Sequence, residues 1–295
     1  MKYLFSMFFL CLTFSVGLMA QESNESNENT AEEGDRSGLD FGIEFPEALV
    51  QDGAYEKVTE KERVALPYDH VREADVLWSK RVWRVIDTRE KMNLPFINKE
   101  APFINVLLKI IETNPDVQIF DSDGFFNEAL ANDIRDRLSS VDTVEVYDYD
   151  LDDYVTKVTY NEFDPTAFSM FRLKEDWLFD EETSMMVCRI MGIAPIRDVR
   201  NDDGSVRGQE ALFWVYYPDL RKYLVKYEAS NPFNDAIRMN WQQMFEQRFF
   251  SSYVIKESNP RDRRIEDYAT GGDALRESDR ITEQILETEV NLWSY

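Results

Sequence analysis

Histidine occurs once in this chain of 295 residues, at His70, and cysteine twice, at Cys11 and Cys188. Nucleophilic triads and histidine or cysteine zinc sites need several such side chains converging on one point, so both are excluded. Cys11 falls inside an N-terminal stretch that reads as a removable export signal, which leaves Cys188 alone and forbids an internal disulfide in the mature chain. Cys188 lies in the apolar run 185–193 and is expected to behave as a small buried hydrophobe. Glycine loops of the Gly-x-x-x-x-Gly-Lys or Gly-x-Gly-x-x-Gly kind are missing, and with them the common phosphate cradles. Cations are scarce: 33 Lys and Arg stand against 57 Asp and Glu, a formal charge of −24. That balance speaks against nucleic acid and against anionic lipid, which need clustered cations, and makes basic proteins the better partners. No repeat recurs along the chain, which removes solenoids and propellers.

Long apolar runs are confined to the first 20 residues. There a single Lys2 precedes the apolar run from Tyr3 to Thr13, followed by small residues, the pattern of a cleaved signal. Cleavage after Gly17 or after Ala20 satisfies the small-residue rule, and Cys11, behind bulky Leu10, is a poor lipid-attachment site. Nothing later approaches the roughly 20 apolar residues that span a bilayer. The mature protein is therefore expected to be soluble in the periplasm, with no direct membrane span. Residues 21–40 are acidic and polar and are expected to form a disordered leader. Residues 41–67 read as an extended arm, residues 68–270 as an α+β domain, and residues 271–295 as a C-terminal amphipathic helix.

The segment 72–92, READVLWSKRVWRVIDTREKM, reads as a helix with two apolar stripes. At 100° per residue Val71, Ala74, Trp78, Val82, Val85 and Met92 share one face, and Val76 and Trp83 lie almost opposite. Lys80, Arg84, Asp87 and Lys91 would run between them, with Arg84 and Lys91 each able to meet Asp87. Val76 and Trp83 then either pack beneath another layer of the same domain or form a docking site, with Arg84 beside them.

A second helix is expected from Phe103 to Ile111, started by Pro102, ended at Asn114-Pro115 and paired with the first. Further helices are expected over 129–138, 218–227 and 237–250. Strands are expected over 117–120, 143–147, 155–160, 184–199, 209–217 and 251–256, with 201–205 as a hairpin turn. After Gly271-Gly272, Ile281, Ile285, Thr288 and Leu292 recur at helical spacing, and this helix could dock on its own domain or on a neighbour. Helices and strands mingle in no regular βαβ order, so the fold class is α+β: an antiparallel sheet core with flanking helices, preceded by an extended N-terminal arm.

Three acidic clusters, Asp121/Asp123, Asp148/Asp150/Asp152 and Asp202/Asp203, invite a calcium reading. The middle one puts Asp153 where an EF-hand loop needs glycine and Thr159 where it needs a bidentate glutamate, so solvated turns explain the clusters better. No carboxylate pair is singled out for hydrolysis. No catalytic residue, metal site or cofactor is expected. A carboxylate-based periplasmic hydrolase or glycan binder is the alternative class.

The block Val71 to Pro95, VREADVLWSKRVWRVIDTREKMNLP, resembles the gliding-motility family GldN/PorN of the Bacteroidetes type IX secretion system. Supporting matches are Gly192-Ile193-Ala194-Pro195-Ile196, LFWVYYPDLRKYL from Leu212, and RFFSSYVIKESNPRDRRIEDY from Arg248. The resemblance covers roughly residues 67–268, with the final helix outside it. It implies a structural, non-enzymatic role: a subunit that pairs with a GldK/PorK-like outer-membrane lipoprotein, forms a ring with further copies of itself, and contacts a GldM/PorM-like motor component. The candidate interface residues are Val76, Trp83, Arg84, Ile281, Ile285 and Leu292.

Overall fold

The computed structural model describes residues 63–129, 140–148, 153–161, 168–200, 206–231 and 238–293, with positions 43, 45, 134, 138, 165, 234 and 236. All lie in the unit formed by Arg36–Tyr295. The signal, the acidic leader and most of the extended arm fall outside the described residues, as do Asp150, Asp152, Asp202 and Asp203.

A seven-stranded antiparallel sheet organises the chain. Its order is β11 (Tyr253–Glu257), β1 (Val76–Asp87), β5 (Met170–Asp180), β6 (Met185–Arg200), β8 (Trp214–Tyr216), β2 (Ile119–Phe120), with β7 (Val206–Ala211) also paired to β6. Two small ribbons pair β3 (Ser140–Asp148) with β4 (Asp153–Asn161), and β9 (Glu228–Ala229) with β10 (Met239–Asn240). Among the described residues the fully bounded α-helices are α1 (Phe103–Thr113), α2 (Tyr217–Leu224), α3 (Trp241–Glu246) and α4 (Gly272–Trp293). This is the α+β class that the sequence predicts.

The segment 76–87 is a strand, not the predicted two-stripe helix. Residues four apart share a face in both geometries, so Trp78, Val82 and Ile86 satisfy either pattern. The register with β5, continuous from Trp78↔Phe179 to Asp87↔Met170, shows which one applies. Valine, isoleucine and tryptophan suit the pleated surface, and the partner strand supplies hydrogen bonds that a short helix would have to find within itself. Asp87 accordingly meets Arg89 (2.6 Å) rather than Arg84 or Lys91, and Arg84 donates to Ser252. α1 has no α-helical mate in 72–92; it packs on the sheet and against the 3-10 turn Lys91–Ile97 through Phe96 and Phe103.

Strand alternation sorts the sheet into two faces. On the first, Ile86, Phe171, Leu173, Ile193 and Val215 meet α1, α2 and α3 in the main core. Phe103 and Trp241 approach to 4.6 Å between ring centroids, and Phe96, Phe171 and Phe245 surround them. On the second face Trp83, Ala194 and Trp214 pack together under Phe120 and Phe125. Gly192 is required there: a Cβ on it would stand 2.7 Å from Phe125 Cζ.

α1 begins after Pro102 and ends at Asn114, whose side-chain amide donates to the Ile110 carbonyl, as its sequence predicts. α3 is shorter than the predicted 237–250 helix, because Met239 and Asn240 pair with β9 and Asn240 then caps the helix by accepting from Gln243 N (2.7 Å). β5 has no counterpart among the predicted strands.

Candidate functional site

The six candidate interface residues do not form one surface. Val76 opens β1 beside a bulge, half-buried, with Leu77 exposed next to it. Trp83 and Arg84 are neighbours in sequence and therefore point to opposite faces of the sheet. Trp83 is buried against Ala194 and Trp214, with the Lys256 ammonium 4.3 Å from its ring centroid, and its Nε1 donor has no partner among the described residues. Its ring is thus largely covered by side chains of its own chain.

Arg84 joins a buried charge cluster on the first face. Glu175, fully buried, accepts from Arg248 Nη1 (2.9 Å) and Trp177 Nε1 (3.1 Å), and Arg248 also reaches Cys188 Sγ (3.3 Å). Arg84 donates Nε and Nη2 to the hydroxyl and carbonyl of Ser252. Burial holds the Arg84 pKa below its ordinary value, with Arg248 adding to the fall and Glu175 opposing it. Burial also works against the Arg248 charge, but Glu175 and Cys188 more than offset it and its pKa is raised. The Cys188 thiol is pushed up by burial and then by the Glu175 charge; it is half-buried against the Arg248 guanidinium rather than the fully buried hydrophobe expected from its apolar run.

Ile281 and Ile285 are buried together against Val82, Val254 and Ile265, with Trp78 and Trp177 at the margin. The helix they belong to therefore docks on its own chain. Ser278 Oγ, one turn before Ile281, accepts the Val254 backbone N–H (2.7 Å), which satisfies a donor of edge strand β11. Leu292, near the end of α4, is half-buried.

α4 carries a second apolar stripe that the sequence reading missed. Leu275, Leu286 and Val290 are 58%, 50% and 66% exposed. At 100° per residue they cluster about 120° from the Ile281–Ile285 stripe. Their spacing of 11 and 4 was readable, but the inner stripe dominates the pattern. An apolar cleft of about 460 Å³ lies elsewhere, lined by Met92, Pro95, Met239, Met244 and Phe249 among others.

A family model described as gliding motility associated protein GldN matches residues 71–294. The chain belongs to the GldN family. It is thus a component of the gliding-motility and type IX secretion machinery. The GldN match starts at the first residue of the β1 signature block and runs past Tyr268 through α4, so the final helix belongs to the shared family domain and not, as expected, outside it. No curated protein matches this GldN chain. Among the described residues no helix is long and apolar enough to cross a membrane, and no cluster of three or more His, Cys, Asp or Glu is placed to hold a metal ion.

Proposed function

We propose that this GldN family member is a periplasmic structural subunit. In this reading it forms a ring with further copies of itself and with a GldK/PorK-like outer-membrane lipoprotein, and it touches a GldM/PorM-like motor component. The observation that carries the reading is α4. Its inner stripe is fixed on the domain by Ile281 and Ile285, while Leu286 and Val290 remain uncovered on a helix that cannot turn to hide them. Apolar side chains held outward on a rigid element can serve as the few anchors that carry most of the energy of a permanent contact.

Copurification from membranes of tagged protein with its lipoprotein partner tests this. The double change Leu286→Glu and Val290→Glu is expected to leave the purified chain folded and to cost more than about 2 kcal/mol of partner binding. Undiminished copurification of the double variant would refute the α4 contact. An isolated parent chain that recovered no lipoprotein and stayed monomeric would refute the subunit reading itself.

A further inference from the structure

The second face of the sheet carries a cavity of about 680 Å³ beside β11, lined by Arg172, Arg207, Arg264, Glu266, Gln209 and Tyr253 and reached by the first turn of α4. Three guanidiniums against one carboxylate invert the sign of a chain whose net charge is −24. Arg264 pairs with Glu266 (3.0 Å). Arg172 has no acid partner among the described residues, and its Nε is buried with no acceptor. Burial and then the neighbouring Arg264 hold the Arg172 pKa below its ordinary value. A buried donor left unmade destabilises the fold, so at a position with only a packing role an apolar side chain would be the cheaper choice. The amides at the start of α4 add partial positive charge on the same side.

A smaller cavity of about 300 Å³ shares Arg172, Gln209, Ile255 and Arg264 and continues to Trp83 and Lys256. Trp83 Nε1, on this path, is likewise a buried donor without an acceptor among the described residues. Asp123, Glu210 and Asp262 also line this end, and Asp262 is paired with Lys256. The two cavities therefore form one groove with its cationic excess at the Arg172 end.

From this convergence we infer that the groove binds a carboxylate carried by an extended acidic peptide segment of a protein partner. A guanidinium reads a carboxylate through paired, charge-assisted hydrogen bonds. Val85, Ile255, Ala274 and Leu275 supply apolar walls for the residues flanking that carboxylate, and the volume lies within the range of ligand sites. A strongly acidic chain repels an anionic membrane surface as a whole, whereas a peptide can bring single carboxylates into a local cationic site.

The test is fluorescence anisotropy of the full chain with a rhodamine-labelled peptide of alternating Glu and Ala, at low salt. Saturable binding is expected, weakened about tenfold or more by Arg172→Gln and by Arg207→Gln, the loss of one charge-assisted contact in each case. A peptide of alternating Lys and Ala is drawn to the net negative chain instead, and its binding should be no weaker in either variant. Because Arg172 gives up no hydrogen-bond or ion-pair partner among the described residues, Arg172→Gln and Arg172→Met should melt no lower than the parent; a fall in Tm for both would overturn the inference by showing a structural arginine. Absent binding, or binding indifferent to both substitutions, would overturn it too. So would Arg172-dependent binding of inorganic phosphate or of phosphatidylglycerol vesicles with none of the peptide, which would assign the groove to a different anion.

Discussion

Glu175→Ala should be among the most destabilising single changes in the sheet. The carboxylate is wholly buried, where it accepts from half-buried Arg248 and from Trp177 and offsets the charge of a buried guanidinium, Arg84. Its removal leaves two cations facing each other without an acid. Breaking a buried pair by deleting one partner costs about 3–5 kcal/mol, mostly as the penalty for the stranded charge. For a domain of this size, at about 2–4 °C per kcal/mol, the melting temperature should fall by roughly 6–20 °C. Glu175→Gln keeps an acceptor for both donors and loses only the charge, so it should fall between parent and Ala. The pair Glu175→Leu with Arg248→Met replaces both ions by apolar groups of similar volume and should recover most of the loss. Urea unfolding followed by tryptophan fluorescence measures all four proteins. A Glu175→Ala variant within about 1 kcal/mol of the parent would refute the reasoning, since at that cost the site could not be desolvated.

Two further outcomes follow from the same geometry. The Cys188 pKa is raised in the folded state, so the unfolded chain loses this proton first: the contribution is intact below the unfolded value, about 8.5, and drains away as pH climbs above it, by at most about 1.4 kcal/mol per pH unit. Cys188→Ala should flatten the decline of urea stability between about pH 8.5 and pH 10 by one proton's worth, and an unchanged slope would show that the thiol does not titrate with unfolding. Gly192→Ala places a methyl 2.7 Å from Phe125 Cζ and 3.1 Å from Trp214 Cε3, which forces Phe125 off its seat against Phe120, Tyr216 and Lys174. A cost of about 1–3 kcal/mol is expected, and it should vanish when Phe125 is already alanine; a cost that persists in that background would place the strain in the backbone.

The parts of the fold that were legible in sequence are those whose signals are local. α1 announces itself by Pro102, its apolar spacing and Asn114, α2 by its starting proline, and the β6–β7 hairpin by the polar stretch between two β-rich runs. Two adjacent inner strands, β1 and β5, were not legible. In β1, Lys80 and Arg84 alternate with Trp78, Val82 and Ile86, and in β5, Glu175 interrupts the alternation of Phe171, Leu173, Trp177 and Phe179. Each charge is tolerated because of a partner distant in sequence: Arg81 on Asp176, Arg84 on Ser252, Glu175 on Arg248, Lys174 on the Asp123 carbonyl. A one-dimensional pattern contains no such partner, so charged positions read as solvent-facing and the period-two signal is lost. The same limit governs the candidate interface. Spacing identified Ile281 and Ile285 as an apolar stripe, while its partner, the Val82 and Val254 surface, exists only once β1 and β11 are side by side.

The two-stripe helix expected at 72–92 does exist in this protein, at its other end. α4 extends over 22 residues, about 33 Å at 1.5 Å per residue, and divides its apolar side chains between its own domain and solvent. Charge on the outer side narrows what can cover it: Asp279 and Glu283 lie among Leu275, Leu286 and Val290 on the helical projection, and Glu287 follows closely. A partner burying that stripe must seat the leucines and the valine in an apolar groove and bring Lys or Arg to its rim, because carboxylates left facing like charge at low dielectric would cost more than the apolar contact returns. The acidity read from composition and the uncovered stripe seen in the structure thus constrain one surface together: its partner is apolar at the centre and basic at the edge.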